Sequence, residues 1–231
     1  MKKKVVVSSE IVYVIAVLML SFAVAMLSAA NLGLSMIVSP AYILSQKLPV
    51  FSFGQCEYIL QGIVFIVFCA AMKRIRLVYF FSFLTSLIYG GVLDMWRAVI
   101  PAFNPQVTSP GDFPFIVRGL FFLLGMLLTA LAVALFFKTY LYPQVYDFFV
   151  KGISSRYHFD RTKCKRIMDA CLLAIAVLMT LLFFGRFVGI GWGTLVMTVF
   201  NGILIGFFDR TLDRIFEFKP VFGKFAAKFE I

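Results

Sequence analysis

Six long runs of apolar residues without a charged side chain limit what this chain can fold into. Each run is close to the ~20 residues that a helix needs to cross the hydrocarbon core of a bilayer. Of the 231 residues, 62% are hydrophobic and 14% are charged, a balance outside the range of soluble domains. The sequence therefore predicts an all-α membrane protein with about six transmembrane helices in a single integral membrane domain, residues 1–231. The predicted spans are residues 11–30, 58–72, 77–93, 119–137, 170–185 and 187–208.

The second and fifth of these runs are short for a span. Extending them to Cys56 and Ile167 restores the spanning length and places Glu57 and Asp169 near the membrane boundary.

The basic residues predict the orientation of the spans. The chain carries a formal net charge of +11. If the first span starts in the cytoplasm, all but four of the 22 Lys and Arg residues fall in cytoplasmic segments, as the positive-inside rule expects. We therefore predict that both termini are cytoplasmic, and we interpret the charge as topological rather than as a nucleic-acid surface. The four exceptions are Lys47, Arg97, Arg118 and Arg186.

Three weak correspondences in matching order predict an internal duplication, with repeats over residues 11–100 and 115–215. Because each half has three spans, the second half would be inverted relative to the first, as in many secondary transporters. The corresponding features are a proline that opens a short segment (Pro40, Pro143), a cysteine followed five residues later by a polar side chain (Cys56 and Gln61, Cys164 and Asp169), and a terminal Gly-x-x-Asp (Gly91 to Asp94, Gly206 to Asp209).

The two short segments, residues 38–47 and 143–153, are too short or too polar to be predicted as spans. They remain candidates for re-entrant, interfacial or loop helices. In the first of them, Ser39 is predicted as a helix cap followed by Pro40 in the first turn.

Polar side chains within or beside the spans are the candidate solute-binding residues, because burying them in a bilayer is unfavourable unless they have a role. For Asp94 and Asp209 the alternative is a charge at a helix end, paired with a base such as Arg97 or Arg210. The glycine-rich segment 189–194 predicts either a broken helix end with free amides for a ligand or a tight external turn with Trp192 as an interfacial anchor. The candidates are Asn31, Gln61, Asp94, Thr194, Asn201 and Asp209.

Catalytic and metal-binding motifs do not stand out. The chain has one histidine, His158, and four cysteines without metal-ligand spacing. We therefore expect no enzyme activity, no metal and no cofactor.

Four short motifs resemble the YczE/YitT-like bacterial membrane proteins. They span most of the chain, although Val38-Ser39-Pro40-Ala41 departs from the Gly-Pro-Trp-Asp that is more typical there. The resemblance implies a multi-pass protein of the bacterial cytoplasmic membrane, of a kind often presumed to transport something. The motifs are Asn31-Leu-Gly-Leu-Ser35, Phe51-Ser-Phe-Gly54, Gly91-Val-Leu-Asp94, and Gly193-Thr194 through to Gly206-Phe-Phe-Asp209.

Two functions follow as hypotheses. The first is a small permease-like transporter or solute-binding membrane subunit, comparable with the substrate-capture subunit of an energised vitamin transporter. The alternative is an accessory or scaffold protein that holds a cytoplasmic partner through its basic loop, residues 151–166. The expected partners are the lipid bilayer, a small-molecule solute, and either a second copy of the chain or a cytoplasmic protein, but not a nucleic acid.

Overall fold

The computed structural model describes residues 4–73, 79–109, 112–141 and 143–226. Leu77, where the third predicted span begins, lies outside the described residues, as do Lys2, Lys3, Arg74, Arg76 and Lys228, which were counted for the orientation. The helices are α1 (Ser9–Ala30), α2 (Ser39–Lys47), α3 (Phe53–Met72), α4 (Phe80–Val99), a 3-10 turn (Pro101–Phe103), α5 (Phe115–Phe137), α6 (Val145–Tyr157), α7 (Arg161–Phe184), α8 (Trp192–Ile215) and α9 (Gly223–Ala226). Two strands, β1 (Val5–Ser8) and β2 (Phe216–Lys219), complete the fold.

Five helices are long and apolar enough to cross a membrane: α1, α3, α5, α7 and α8. They coincide with five of the six predicted runs and support a helical membrane protein. The remaining run coincides with α4, which is 20 residues long but more polar, because it carries Asp94 and Arg97 near its end.

The six long helices alternate in direction between two ends of the bundle. We call the end where α1 begins the N-terminal end. The end of α8 lies at the same end, because β1 pairs in parallel with β2 and places Val5 beside Phe216. The end of α5 is also there, where the Tyr140 hydroxyl donates to Glu10 Oε1 at 2.9 Å. At the opposite end, Arg118 Nε at the start of α5 donates to the Ala30 carbonyl at 2.8 Å.

Helices α1 and α5 form the central pair of the bundle. Small residues allow the two backbones to approach closely, as is usual where apolar packing cannot be driven by water. A Cβ on Gly125 of α5, for example, would lie 2.7 Å from Leu27 of α1.

The other helices pack around this pair in a nearly matched pattern. If α1 to α4 are set against α5 to α8 in order, three contacts recur. The α1–α4 contact matches α5–α8, the α2–α7 contact matches α6–α3, and the α2–α3 contact matches α6–α7. Two matches fail. Helix α3 packs against α4, whereas the described residues of α7 and α8 make little or no direct contact, and α4 contacts α6, whereas those of α8 and α2 make little or none.

Helix α6 begins beside the middle of α3 and runs back to the N-terminal end. Its first amide, Val145 N, donates to Gln61 Oε1 at 3.2 Å, and Gln61 is the ninth residue of the 20-residue α3. Near the other end of α6, the Tyr157 hydroxyl donates to the Ala71 carbonyl at 2.8 Å. Helix α6 therefore lies along the half of α3 that is nearer the N-terminal end of the bundle.

Helix α2 begins as predicted, but its cap differs from the prediction. Val38 is the capping residue, and Ser39 is already helical, with its hydroxyl donating to the Ser35 carbonyl at 2.9 Å and to Gly189 O at 3.3 Å. Ser39 therefore joins the start of α2 to the α7–α8 connection instead of closing the helix end.

Candidate functional site

A chamber of about 200 Å³ lies between α1, α5, α6 and α8, and its walls come from both halves of the chain. Most of its surface is apolar, from side chains such as Leu20, Val133 and Met197. The segment that leads into α2, residues 34–38, and the start of α6 both line it. The chamber thus lies where the two short helices begin.

A wider cavity of about 640 Å³, which we call the mouth, joins the chamber to the N-terminal end of the bundle. The mouth is lined by acidic and basic side chains, among them Lys138, Lys151, Arg166 and Asp209. The mouth lies where the described residues of α7 and α8 make little or no direct contact.

Four residues line both cavities and therefore mark the neck between them: Phe137, Asp147, Lys165 and Asp169. Lys165 Nζ of α7 contacts Asp147 Oδ1 of α6 at 3.2 Å. Asp169 follows Lys165 by one helical turn on α7. The Lys165 ammonium therefore lies near two carboxyl groups, those of Asp147 and Asp169.

Two polar atoms at the chamber wall are buried without a hydrogen-bond partner among the described residues. They are the Tyr146 hydroxyl oxygen and Asn201 Oδ1. Tyr146 is only 3% exposed. A buried polar atom without a partner is unfavourable by ~1–3 kcal/mol, so a solute that hydrogen-bonds to both atoms would recover that energy on binding.

Behind the chamber wall, Gln61 links three helices. Its Nε2 donates to Glu57 Oε2 at 3.2 Å and to Gln144 Oε1 at 3.4 Å, and its Oε1 accepts from the Ser86 hydroxyl and from Val145 N. Gln61, Glu57 and Ser86 are fully buried. Gln61 is therefore not a wall residue of the chamber, but it holds Gln144, which is one.

Asp209 lies at the mouth and forms an ion pair there. Lys138 Nζ contacts Asp209 Oδ1 at 2.6 Å and Asp213 Oδ2 at 2.8 Å. Burial lowers the pKa of Lys138, but its hydrogen bonds to the two carboxylates outweigh this and raise the pKa above 10.5. Nearby, burial and the hydrogen bond to Glu10 raise the pKa of Tyr140 to about 12.

Asp94 lies at the opposite end and holds the start of α3. Its Oδ1 accepts from Gly54 N at 2.8 Å, and its other oxygen accepts from the Ser52 hydroxyl. A carboxylate at a helix N-terminus is favourable there because the helix dipole is positive at that end. Arg97 does not pair with it through a salt bridge, and its guanidinium lies 5.2 Å from the centre of the Phe53 ring.

Asn31 and Thr194 also lie at the opposite end, away from the chamber. Asn31 ends α1 in the left-handed conformation, and its carbonyl accepts from Arg118 Nη2 at 2.6 Å. Thr194 is 1% exposed, and its hydroxyl accepts from Gly191 N at 3.2 Å.

Three amides of the glycine-rich segment, those of Gly191, Gly193 and Thr194, are bonded within the protein and are not free for a ligand. Gly193 N donates to the Leu32 carbonyl at 2.8 Å and Thr194 N donates to Gly191 O at 3.0 Å. A Cβ on Gly33, whose φ is +112°, would lie 2.6 Å from Thr194 Oγ1. The segment is a tight turn packed on residues 32–34, and Trp192 is 83% exposed beside it.

Of the six candidates, the structure brings Asn201 to the chamber, Asp209 to the mouth and Gln61 to the layer behind the wall. Sequence reasoning missed Gln144, Tyr146 and Asp147, because they lie in a segment too polar to be predicted as a span. The signal available was Pro143, which marked the start of α6. Within the described ranges, no three His, Cys, Asp or Glu side chains come together in a group that could hold a metal ion.

Residues 7–210 match a protein family of unknown function, DUF6198. The chain belongs to this family. The match covers every helix from α1 to α7 and most of α8, so the chamber, the mouth and the layer behind the chamber wall are all within the DUF6198 region. No curated protein and no solved structure matches the chain.

Proposed function

We propose that this DUF6198 protein is a small-solute permease with six transmembrane helices, built from two inverted halves of three, and that the chamber binds the solute. The observation that carries the proposal is the difference between two corresponding helix pairs. Helices α3 and α4 are packed together at the opposite end, whereas α7 and α8 are parted beside the mouth. A cavity that is open at one end and closed at the other is what alternating access requires of each state.

The helix contacts support the inverted halves. If residues 11–100 correspond to residues 115–215, α1 to α4 correspond to α5 to α8 in order. Three helix contacts then have a counterpart: α1 with α4, α3 with α6, and α2 with α3. Cys56 and Cys164 also fall at the same place, the fourth residue of α3 and of α7.

The parity of the fold supports six spans and not five. Because β1 and β2 pair directly, the start of α1 and the end of α8 lie on the same side of any membrane the bundle crosses. An odd number of crossings is incompatible with that pairing, and counting α4 as a span makes the number even. Together with the positive-inside rule, this supports cytoplasmic termini in a bacterial cell and an inward-facing mouth.

The resemblance to YczE/YitT-like proteins belongs to the same proposal, since those proteins are often presumed to be transporters. The chamber volume of about 200 Å³ is below the ~300–1,000 Å³ of sites for drug-sized molecules, so the solute is small. Its chemistry includes a hydrogen-bond acceptor for the Tyr146 hydroxyl and a donor for Asn201 Oδ1.

A thermal-stability screen of the detergent-purified protein against small metabolites tests the proposal. A solute at 100 times its dissociation constant stabilises the folded state by ~2.7 kcal/mol. We expect a saturable rise in Tm that Asn201→Leu abolishes. Gln106→Leu is the matched control, because it removes an amide from an exposed loop at the opposite end.

A broad library that leaves the Tm unchanged, with the protein folded, would contradict the permease. In that event, the scaffold hypothesis predicts a cytoplasmic partner whose binding depends on the basic loop, residues 151–166. Copurifying ATPase subunits would instead indicate the substrate-capture subunit of an energised transporter.

A further inference from the structure

The carboxyl group of Glu57 is buried and forms no ion pair with any of the described residues. Glu57 is the fifth residue of α3, a helix long and apolar enough to span the membrane, and its exposed fraction is 0%. One oxygen, Oε2, accepts from Gln61 Nε2 at 3.2 Å. The other, Oε1, has no hydrogen-bond partner among the described residues.

Among the described residues, the titratable groups that face the Glu57 carboxyl carry no positive charge that would keep it ionised. On its own helix the neighbour is the Cys56 thiol, α4 contributes the Tyr89 hydroxyl and α6 contributes the Tyr146 hydroxyl. On α2, Tyr42 faces Phe53 and Arg97, and Lys47 extends to the Phe183 carbonyl. On α4, Arg97 lies over Phe53 and Asp94 holds the start of α3.

The positive ends of α3 and α6 are also directed elsewhere. At the start of α3, Gly54 N donates to Asp94 Oδ1 at 2.8 Å. The first amide of α6, Val145 N, donates to Gln61 Oε1 and not to Glu57. An unpaired carboxylate in a desolvated site is strongly unfavourable, and a buried carboxyl without a partner takes up a proton instead. The unpartnered Oε1 is the atom that would carry this proton.

Glu57 is separated from the chamber by a thin polar wall. Tyr89, Gln144 and Tyr146 line the chamber, and Gln144 is held by Gln61, the hydrogen-bond partner of Glu57. The Tyr146 hydroxyl, unpartnered and close to Glu57, offers the shortest connection between this carboxyl and water in the chamber.

We propose that Glu57 is a proton-binding site inside the membrane domain, loaded from the chamber past Tyr146. Binding transfers a proton from water in the chamber to Oε1, and release at higher pH returns it by the same route. This site exists whether or not the protein is a permease. Its meaning for transport rests on the proposed function: a permease with such a site would move a proton with its solute.

Infrared spectroscopy of the full-length protein in lipid tests the site, with the proton itself as the ligand. At neutral pH, we expect a carbonyl band from a protonated carboxylic acid that disappears as the pH is raised. The band is absent from Glu57→Gln, which is isosteric with the protonated side chain, and it persists in Glu217→Gln. Glu217 is a suitable control because it lies on β2 and is paired with Lys219 at 3.0 Å.

Two further measurements sharpen this test. In D2O the band moves to lower frequency as the proton exchanges, and Tyr146→Phe slows that shift without removing the band. If the Glu57→Gln protein does not fold, Glu57→Asp keeps a carboxyl and retains a band with an altered titration.

Three spectroscopic outcomes would overturn the proposal. They are the absence of a protonated-acid band at neutral pH, a band that survives in Glu57→Gln, and exchange that is unaffected by Tyr146→Phe, which would remove the route. A rise in Tm with sodium chloride over choline chloride that is lost in Glu57→Gln would also overturn it, because Glu57 would then bind a metal cation. None of these measurements needs the solute, so their outcome does not depend on whether the permease hypothesis is correct.

Discussion

The helix pairs α3/α4 and α7/α8 both end near a Gly-x-x-Asp motif but differ in their packing. At the α3/α4 contact, the backbone of Gly54 lies so close to Gly90 that a Cβ on Gly54 would be 1.9 Å from the Gly90 carbonyl oxygen. In the other pair, a Cβ on Gly202 or Gly206 of α8 would meet no atom within 4 Å. The α3/α4 pair is therefore held by a close backbone contact, whereas the described residues of α7 and α8 make little or no direct contact.

The aspartates of the two Gly-x-x-Asp motifs differ in the same way. Asp94 accepts hydrogen bonds from the start of α3 and joins the two helices of its pair. Asp209 instead forms an ion pair with Lys138, which follows α5. The start of α7 is capped by Asp160, whose Oδ1 accepts from Lys163 N at 2.8 Å. The two pairs thus differ in what the aspartate binds: the start of α3 in the closed pair, and Lys138 in the open one.

The largest expected effect comes from adding one methyl group at the closed pair. Gly54→Ala forces α3 and α4 apart, and such overpacking is unfavourable by ~1–3 kcal/mol or more. We expect the upper end of that range, because the clash is with a backbone atom that has no other rotamer. Thermal unfolding in detergent measures the loss.

Gly206→Ala makes the same change on α8, at a glycine that, like its counterpart Gly91 on α4, has no neighbouring atom within 4 Å of an added Cβ. It adds the same methyl group to α8 where nothing opposes it, so the Tm should stay unchanged or rise, by at most the ~1 kcal/mol that separates Gly from Ala in a helix. Equal losses in both variants would mean that the two pairs are packed alike.

The second effect separates the two aspartates. Asp94→Ala leaves Gly54 N and the Ser52 hydroxyl without their acceptor, a loss of ~1–3 kcal/mol. It also loosens the α3/α4 contact beside Cys56, which is 0% exposed. We expect N-ethylmaleimide to label Cys56 in this variant, well below its Tm, as measured by peptide mass spectrometry.

Asp209→Ala is the control for that labelling, because it removes the corresponding carboxylate from the open pair. Cys56 should remain unlabelled in this variant and in the unmodified chain, while the exposed Cys171 reacts in all three. Labelling of Cys56 in the unmodified chain would contradict a closed α3/α4 contact.

The sequence could predict the spans because runs of apolar residues report directly on the bilayer. It could also flag both short helices, since a proline near a helix start is a local signal. It placed Glu57 near the membrane boundary, whereas the structure buries this residue completely, because α3 begins at Phe53 and α6 folds back against it. That burial depends on a contact between residues more than eighty positions apart.

The same limit applies to the chamber. Tyr146 lies on α6 and Asn201 on α8, and both face one cavity only because of how the helices pack around α1 and α5. No local pattern encodes which helices become neighbours. The sequence also could not predict that Asp94 and Asp209 have different partners, because the Gly-x-x-Asp motif is the same in both places.

The smallest expected effect is that of Lys138, the partner of Asp209 at the open pair. Lys138→Gln removes an ion pair whose acceptors are 34% and 59% exposed, so solvent screening limits the loss to ~1 kcal/mol or less. Because the folded-state pKa of Lys138 is raised above 10.5, the pair contributes fully below that pH, and its contribution is lost as the pH rises through the raised value. The Tm difference between Lys138→Gln and the unmodified chain should therefore shrink at high salt and vanish at strongly alkaline pH. A difference of several kcal/mol that resists salt would mean that Lys138 holds α5 to α8 as firmly as Asp94 holds α3 to α4, and the contrast between the two ends of the protein would be lost.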